Sequence, residues 1–121
     1  MVQNTNVSGT GNQVIIAKYM SNVTATVNNH LANSTADDPT KALVKSLNDQ
    51  ITEIAPKVDP TITKKMGKNL EALSKELASD EPERRWYEVS LDGLKEAATA
   101  VGEIAAPIIA TVGKLAALLL K

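Results

Sequence analysis

Cysteine and phenylalanine are both absent from this chain of 121 residues, and histidine occurs once, at His30. The lack of cysteine excludes disulfides, thiolate metal ligands and cysteine nucleophiles, and one histidine cannot supply a histidine cluster for a metal ion. Aromatic residues make up only 2% of the chain. The core therefore has to be built from Leu, Ile, Val and Ala, which favours closely packed helices.

The chain also lacks a large net charge of either sign, because it contains 13 basic and 14 acidic residues. The net charge of −1 gives no global support for binding nucleic acid or an anionic surface. A basic patch at Lys64, Lys65 and Lys68 has no aromatic residue interleaved, which is typical of a solvated helix face. We therefore expect no nucleic-acid partner.

Sequence motifs for catalysis are missing as well. The chain has no Gly-X-Ser-X-Gly elbow, no P-loop and no dinucleotide fingerprint. Carboxylate pairs such as Asp37 and Asp38 are explained by helix capping. We expect a protein that is not an enzyme, with no catalytic residues, no cofactor, no metal ion and no small-molecule substrate.

The N-terminal segment 1–36 carries one formal charge, at Lys18, and is rich in Asn, Thr, Val, Ser and Gly. Within it, Asn22–Asn28 alternates polar and apolar residues, the period-two pattern of a strand with one buried face. Two shorter runs, Thr5–Ser8 and Gln13–Ala17, flank a glycine-containing turn. The pattern predicts a short β segment, arranged as a hairpin, a meander or the rungs of a small β-solenoid. Disorder is the alternative, since polar tracts often fail to fold.

The remaining segment, 37–121, carries the pattern of a helical bundle. Asp38-Pro-Thr and Asp59-Pro-Thr each place an Asp at the N-cap and a Pro at the first helical position. Helices are therefore predicted over about 39–55 and 60–79, each with an apolar stripe at helical spacing. The linker between them is short, which predicts an antiparallel αα-hairpin.

A third helix is predicted over about 82–120, with candidate breaks near Ser90 and Pro107. Acidic residues and a proline suit its first turn. Trp86 is interpreted as the large residue that closes the end of the core, with Tyr87 at the rim, and the alternative is that Trp86 anchors a partner. Pro107 lacks an amide proton and its ring crowds the preceding turn, so the helix is expected to kink or split there.

The stretch from Leu94 to Leu120 combines small residues with a narrow polar seam. At 100° per residue, four charged residues fall within about 20° of one another. Small residues also recur at every fourth position and permit close approach of another backbone. The predicted fold is thus α+β and mainly α, with a short N-terminal β segment, an αα-hairpin and a long Ala-rich C-terminal helix kinked near Pro107.

Two segments carry a resemblance to known proteins. The Asn/Gly-rich Asn6–Val14 and the run Trp86–Ala98, followed by an Ala/Ile/Leu helix, resemble an uncharacterised type of small bacterial intracellular protein associated with conflict and signalling modules. The combination is also similar in concept to fungal HeLo-type proteins, which join a membrane-active helical bundle to a β-stacking amyloid motif. In those proteins the bundle comes first, whereas here the order is reversed. The resemblance carries over no individual residue.

The first functional hypothesis is a self-assembling structural or scaffold protein, a homo-oligomer or filament held together by the N-terminal strands and the small-residue helix. Low charge along the strands removes the repulsion that usually protects strand edges. The predicted interface residues are Val7, Val14, Ile16, Val23, Val27, Ala98, Gly102, Ala106 and Ala110. The expected partner is another copy of the chain, and the expected location is the cytoplasm.

The alternative hypothesis is a membrane-permeabilising, pore-forming effector of a bacterial conflict system. Its C-terminal amphipathic helix would oligomerise and turn the polar seam toward a water-filled lumen. The seam consists of Glu96, Glu103, Lys114 and Lys121. Under this alternative the partner is membrane lipid and the protein is membrane-associated.

Overall fold

The computed structural model describes the backbone of residues 2–120 and the side chains of residues 14–120. Over that backbone range the chain forms five α-helices and two short 3-10 turns, with no strand. The helices are α1 (Val2–Ala32), α2 (Asp38–Ile54), α3 (Pro60–Leu77), α4 (Arg84–Val101) and α5 (Ala106–Leu119). The predicted α+β class is therefore wrong, because the segment expected to be β is a helix.

Helix α1 replaces all three predicted strands and the turn between them. Val23 and Val27 are four residues apart, a spacing that fits both a strand of period two and one turn of helix. Ala25 distinguishes the two, since a strand would bury it beside the valines, whereas here it is exposed. The buried stripe of the helix continues at the same spacing on both sides: Ile16, Met20, Val23, Val27 and Leu31.

Aspartate caps open α2 and α3. Asp59 is the N-cap of α3, as the sequence indicates, and its carboxylate accepts a hydrogen bond from the Thr61 backbone N–H at 2.8 Å. In α2 the cap is Asp37 rather than the predicted Asp38, and it accepts from the Thr40 N–H at 3.0 Å. The carboxylate thus reaches the third residue beyond the cap, where the unpaired amides of a first turn lie.

The predicted αα-hairpin of α2 and α3 is not the main packing unit. Helix α3 lies mainly against α1 and α4, and α2 lies mainly against α5. Three bonds show that α1 and α3 run parallel: Tyr19 Oη to Lys64 O at 3.0 Å, His30 Nδ1 with Ser74 Oγ at 2.9 Å, and Ser34 Oγ to Leu77 O at 2.6 Å. The buried face of α3 is wide enough to serve two neighbours, so its apolar residues do not all point at the preceding helix.

The predicted C-terminal helix is divided in two. Helix α4 runs through Ser90 without a break and ends at Val101, with Gly102 as its C-cap in a left-handed conformation (φ +103°) that favours glycine. A 3-10 turn at Glu103–Ala105 follows, and Pro107 lies in the first turn of α5. Arg84 at the start of α4 donates to the Leu120 carbonyl oxygen, so α4 and α5 are antiparallel. Pro107 therefore begins a helix, as its missing amide proton allows, rather than kinking one.

The core between these helices is aliphatic, as the composition predicts. Tyr87, 9% exposed, is the one aromatic side chain among the buried residues that the structure describes. The fully buried large side chains come from every helix and include Met20, Leu47, Ile51, Met66, Leu70, Leu73, Leu94, Ile108 and Leu115.

Candidate functional site

The residues predicted to form an oligomer interface do not share one surface. Four are buried inside the single chain, and four lie on its surface, while Val7 lies outside the residues whose side chains are described. The buried ones are Ile16, Val23, Val27 and Ala98, and the exposed ones are Val14, Gly102, Ala106 and Ala110. The predicted assembly through paired N-terminal strands is wrong, because residues 2–120 contain no strand.

The predicted polar seam is dispersed by the break at Gly102. Glu96 lies on α4, Glu103 in the 3-10 turn and Lys114 on α5, which runs back along α4, while Lys121 lies outside the described residues. The side of α5 that carries Ile108, Val112 and Leu115 is buried against the rest of the chain. Among the described helices, none combines the length and the apolar character that crossing a bilayer requires.

A groove of about 670 Å³ with a mainly apolar lining lies on the surface beside α3. The α3 side of the groove, called its floor below, has short side chains at Ala72 and, just beyond the end of α3, at Ala78 and Ser79. Trp86 and Val89 of α4 form one wall, and His30 of α1 contributes to the other. Ligand sites in proteins occupy a similar range of volumes, about 300–1,000 Å³.

The two helices that form the groove are held in register at both ends. Near Trp86, the Glu83 backbone N–H donates to Glu76 Oε2 at 3.0 Å. At the other end Gly93 lies so close to Asn69 that a Cβ on the glycine would overlap the Asn69 side chain. This close approach holds α4 against α3 beyond the groove.

Trp86 gives the groove an aromatic surface that is open to solvent. The side chain of this single tryptophan is 48% exposed, and Val89, one turn further along α4, is 52% exposed. The guanidinium carbon of Arg85 lies 5.7 Å from the centre of the Trp86 ring, within the range of a cation–π contact. Lys75 lines the groove from α3, so basic groups lie at two positions near its apolar surface.

His30 and Ser74 form a hydrogen-bonded pair at the edge of this groove, at 2.9 Å. The Ser74 hydroxyl also donates to the Glu71 carbonyl oxygen at 2.9 Å and is completely buried. With its only proton used in that bond, the Ser74 hydroxyl is left as the acceptor in its bond with His30 Nδ1. A buried hydroxyl bound in this way cannot reach a substrate, so the pair fixes α1 on α3 and is not a nucleophile with its base.

Trp86 and Tyr87 have exchanged the positions that the sequence suggested. Tyr87 belongs to the buried stripe of α4, with Leu91 and Leu94 four and seven residues further on, while Trp86 points outward. That spacing was visible in the sequence and identifies Tyr87 as the core residue. No local sequence pattern indicates that His30 and Ala72 line the same groove, because their proximity depends on the parallel packing of α1 on α3.

No family model, no curated protein and no solved structure matches this chain.

Proposed function

We propose that this chain is a non-enzymatic docking module that binds an amphipathic helix of a partner protein in the Trp86 groove. The single observation that carries the proposal is the pair of large, half-exposed apolar side chains, Trp86 and Val89, beside a floor of small residues. Tryptophan is the residue type most enriched among the dominant contacts of protein interfaces. A helix with side chains at i, i+4 and i+7 is a recurrent occupant of grooves between helices.

The size of the groove supports a helix of about three turns. Its floor extends from Asn69 on α3 to Ser79, just beyond the end of that helix, which at about 1.5 Å per residue is about 15 Å. One turn of a docked helix rises about 5.4 Å, so three successive apolar side chains of the partner would meet the floor. Ala72 leaves space for the central one.

The charges near the groove favour an acidic partner helix. Lys75 lines the groove and Arg85 lies over the Trp86 ring, while Glu76, whose Oε2 accepts the Glu83 amide proton, contributes one negative charge, so the balance of these three charges is positive. Glutamate residues on the flanks of the partner would face the two basic groups, and lysine residues there would be repelled. We prefer the docking module to both hypotheses drawn from the sequence, because the described residues contain no strand and do not place Glu96, Glu103 and Lys114 on one helix.

Trp86 makes the proposal directly testable, because the only tryptophan in the chain reports on its own groove. We would titrate the protein with a synthetic amphipathic helix that carries Leu at i, i+4 and i+7 and Glu on its flanks. The expected result is saturable binding by calorimetry, with a blue shift of Trp86 emission as the ring leaves water. A peptide with Lys in place of Glu should bind at least tenfold more weakly.

Two variants control the experiment. Trp86→Ala should weaken binding by about 2 kcal/mol or more, roughly 30-fold in Kd, as truncation of a dominant interface residue does. Ile104→Ala removes a similarly exposed side chain, 47% exposed, that does not line the groove and should leave the affinity unchanged. Equal affinities of the two variants, or no saturable binding of the acidic peptide by the unchanged protein, would reject the docking module.

A further inference from the structure

Ser90 places a hydroxyl group at the base of the Trp86 groove. The residue lines the groove and is 4% exposed, whereas Val89, next to it on α4, is 52% exposed. Ser90 also lies one turn beyond Trp86, so the two side chains are neighbours on the same face of the helix. The wall of the groove on α4 therefore has a large apolar upper part and a polar base.

The Ser90 hydroxyl has no hydrogen-bond partner among the described residues. It differs in this respect from the other serine of the lining, since Ser79 Oγ accepts the Glu81 backbone N–H at 3.2 Å. Ser90 Oγ is also not among the unpaired side-chain atoms that the described protein encloses completely, so it retains accessible surface. Because Ser90 lines the groove, that surface opens into it and a docked side chain can reach the hydroxyl.

Covering this hydroxyl with a purely apolar side chain would weaken docking. In the open groove, water can form a hydrogen bond with Ser90 Oγ. A docked helix displaces that water, and a buried hydroxyl without a partner costs free energy. A well-fitting partner therefore brings a hydrogen-bonding atom to the base of the wall and an apolar body to Trp86 and Val89.

Resting on the docking module, we propose that the partner helix inserts a tyrosine at its central position, with the phenol hydroxyl hydrogen-bonded to Ser90 Oγ. The tyrosine ring packs beside Trp86, because aromatic pairs favour offset and edge-to-face contacts. Its hydroxyl can donate or accept, and so can the hydroxyl of Ser90, which leaves both groups paired.

The floor has space for the ring at the level of Ser90. Helices α3 and α4 are antiparallel, because Glu76 accepts from the Glu83 N–H and Asn69 lies against Gly93. The same register brings Ala72 close to the level of Ser90 across the groove. The short side chain of Ala72 therefore lies where the tyrosine ring has to enter.

Tyrosine fits this groove better than the other side chains that form hydrogen bonds. Serine and threonine are too short to cover Trp86 and Val89. Asparagine and glutamine bring both an amide donor and a carbonyl acceptor into a lining that is mainly apolar. Tyrosine combines a large apolar ring with one polar tip.

The test compares two versions of the acidic amphipathic peptide, with Tyr or Phe in place of Leu at i+4, which differ by one hydroxyl group. Calorimetry with the full chain should show that the Tyr peptide binds about tenfold more tightly or better. Ser90→Ala should bring the Tyr peptide to the affinity of the Phe peptide. The matched control is Ser79→Ala, which should preserve the preference because the Ser79 hydroxyl already pairs with the Glu81 amide.

Three outcomes would overturn the inference, and they are distinguishable. Equal binding of the Tyr and Phe peptides by the unchanged protein would reject the tyrosine and leave the docking module in place. A preference for Tyr that persists in Ser90→Ala would show that the hydroxyl binds elsewhere in the groove. Absence of binding by every peptide would reject the docking module together with this inference. Circular dichroism should show that Ser90→Ala is folded, because alanine is the strongest helix former.

Discussion

Two tyrosines show how single residues respond to the packing around α3. Burial raises the pKa of Tyr19, and the nearby charge of Glu71 raises it further. Burial likewise raises the pKa of Tyr87, with the charge of Glu76 as the second cause. Both glutamates belong to α3, which therefore disfavours the phenolate form of the tyrosine on each neighbouring helix.

A loss of stability at alkaline pH follows from these shifts. The unfolded chain releases the tyrosine protons near the ordinary pKa of 10.0, while the folded chain still holds them. Below pH 10 the two protonated phenols should therefore make their full contribution to the free energy of unfolding. That contribution should fall as the pH rises through their folded-state pKa. The measurement is urea unfolding at several alkaline pH values.

The matched protein for this measurement is the double variant Tyr19→Phe, Tyr87→Phe. It keeps every other titratable group of the chain. Its stability should fall less steeply above pH 10 than that of the unchanged chain. Parallel curves would show that the two phenols do not cause the alkaline loss of stability. Tyr19→Phe also removes the bond that the Tyr19 hydroxyl donates to Lys64 O, so the variant starts from a lower stability at neutral pH, and the comparison is made on the slopes.

Individual residues also mark the limit of inference from sequence. The cap at Asp59 was predictable because Asp followed by Pro is a local signal. The exposure of Trp86 follows from the spacing of Tyr87, Leu91 and Leu94, although the size of the tryptophan suggests a core position. Asn48 Oδ1 is buried without a hydrogen-bond donor, and this could not be predicted because the Asn48 amide is held by a partner on another helix, Thr24.

Among the elements, α1 and α5 show why short patterns mislead. Seven residues of strict alternation in α1 contain only two buried positions, Val23 and Val27, and two positions four apart do not separate a strand from a helix. The stripe from Ile16 to Leu31 spans four turns and does separate them. In the C-terminal segment the residues before and after Gly102 are helical, as predicted. Because the chain reverses direction at Gly102, residues before it and after it no longer lie along one side of a single helix.

Gly102 supports an element-scale prediction with a matched control. At φ +103° and ψ −152° its backbone is in a region that is essentially restricted to glycine, so Gly102→Ala should cost about 1–3 kcal/mol. Gly113 lies in α5, and like Gly102 it has no atom within 4 Å of a Cβ built on it. Gly113→Ala should therefore stabilise by about 0.5–1 kcal/mol through helix propensity.

The comparison isolates backbone conformation, since both substitutions add one methyl group to open space and restrict the unfolded chain equally. Urea unfolding gives the two changes in stability. A Gly102→Ala protein as stable as Gly113→Ala would mean that α4 and α5 do not turn at Gly102. It would then favour the continuous C-terminal helix that the sequence suggested.

At the scale of the whole molecule, the helices form a closed arrangement around one core. Each of α1, α3, α4, α5 and α2 contacts the next in that order, and α2 returns to α1. Chain order predicts a different arrangement, because consecutive helices usually pack on each other. Here α3 packs between α1 and α4, because its buried apolar face is wide enough to contact two helices. The neighbours of each helix therefore depend on the width of its apolar face and not on chain order.

This closed arrangement makes α5 part of the same cooperative unit as the rest of the chain. Leu115 is completely buried and Leu118, three residues further along α5, is 36% exposed. Leu115→Ala should cost about 2–5 kcal/mol, the usual range for a truncated core leucine, whereas Leu118→Ala should cost less than about 1 kcal/mol. Both variants delete the same atoms from the same helix.

Urea unfolding followed by circular dichroism and by Trp86 fluorescence tests both the magnitude and the cooperativity. Trp86 lies on α4, so its signal reports on a helix that neither substitution touches. If the bundle unfolds as one unit, Leu115→Ala moves both transitions to lower urea by the same amount. A fluorescence transition that stays in place while the helical signal shifts would show that α5 unfolds separately. A separate α5 would also return the C-terminal segment to consideration as an independent amphipathic element.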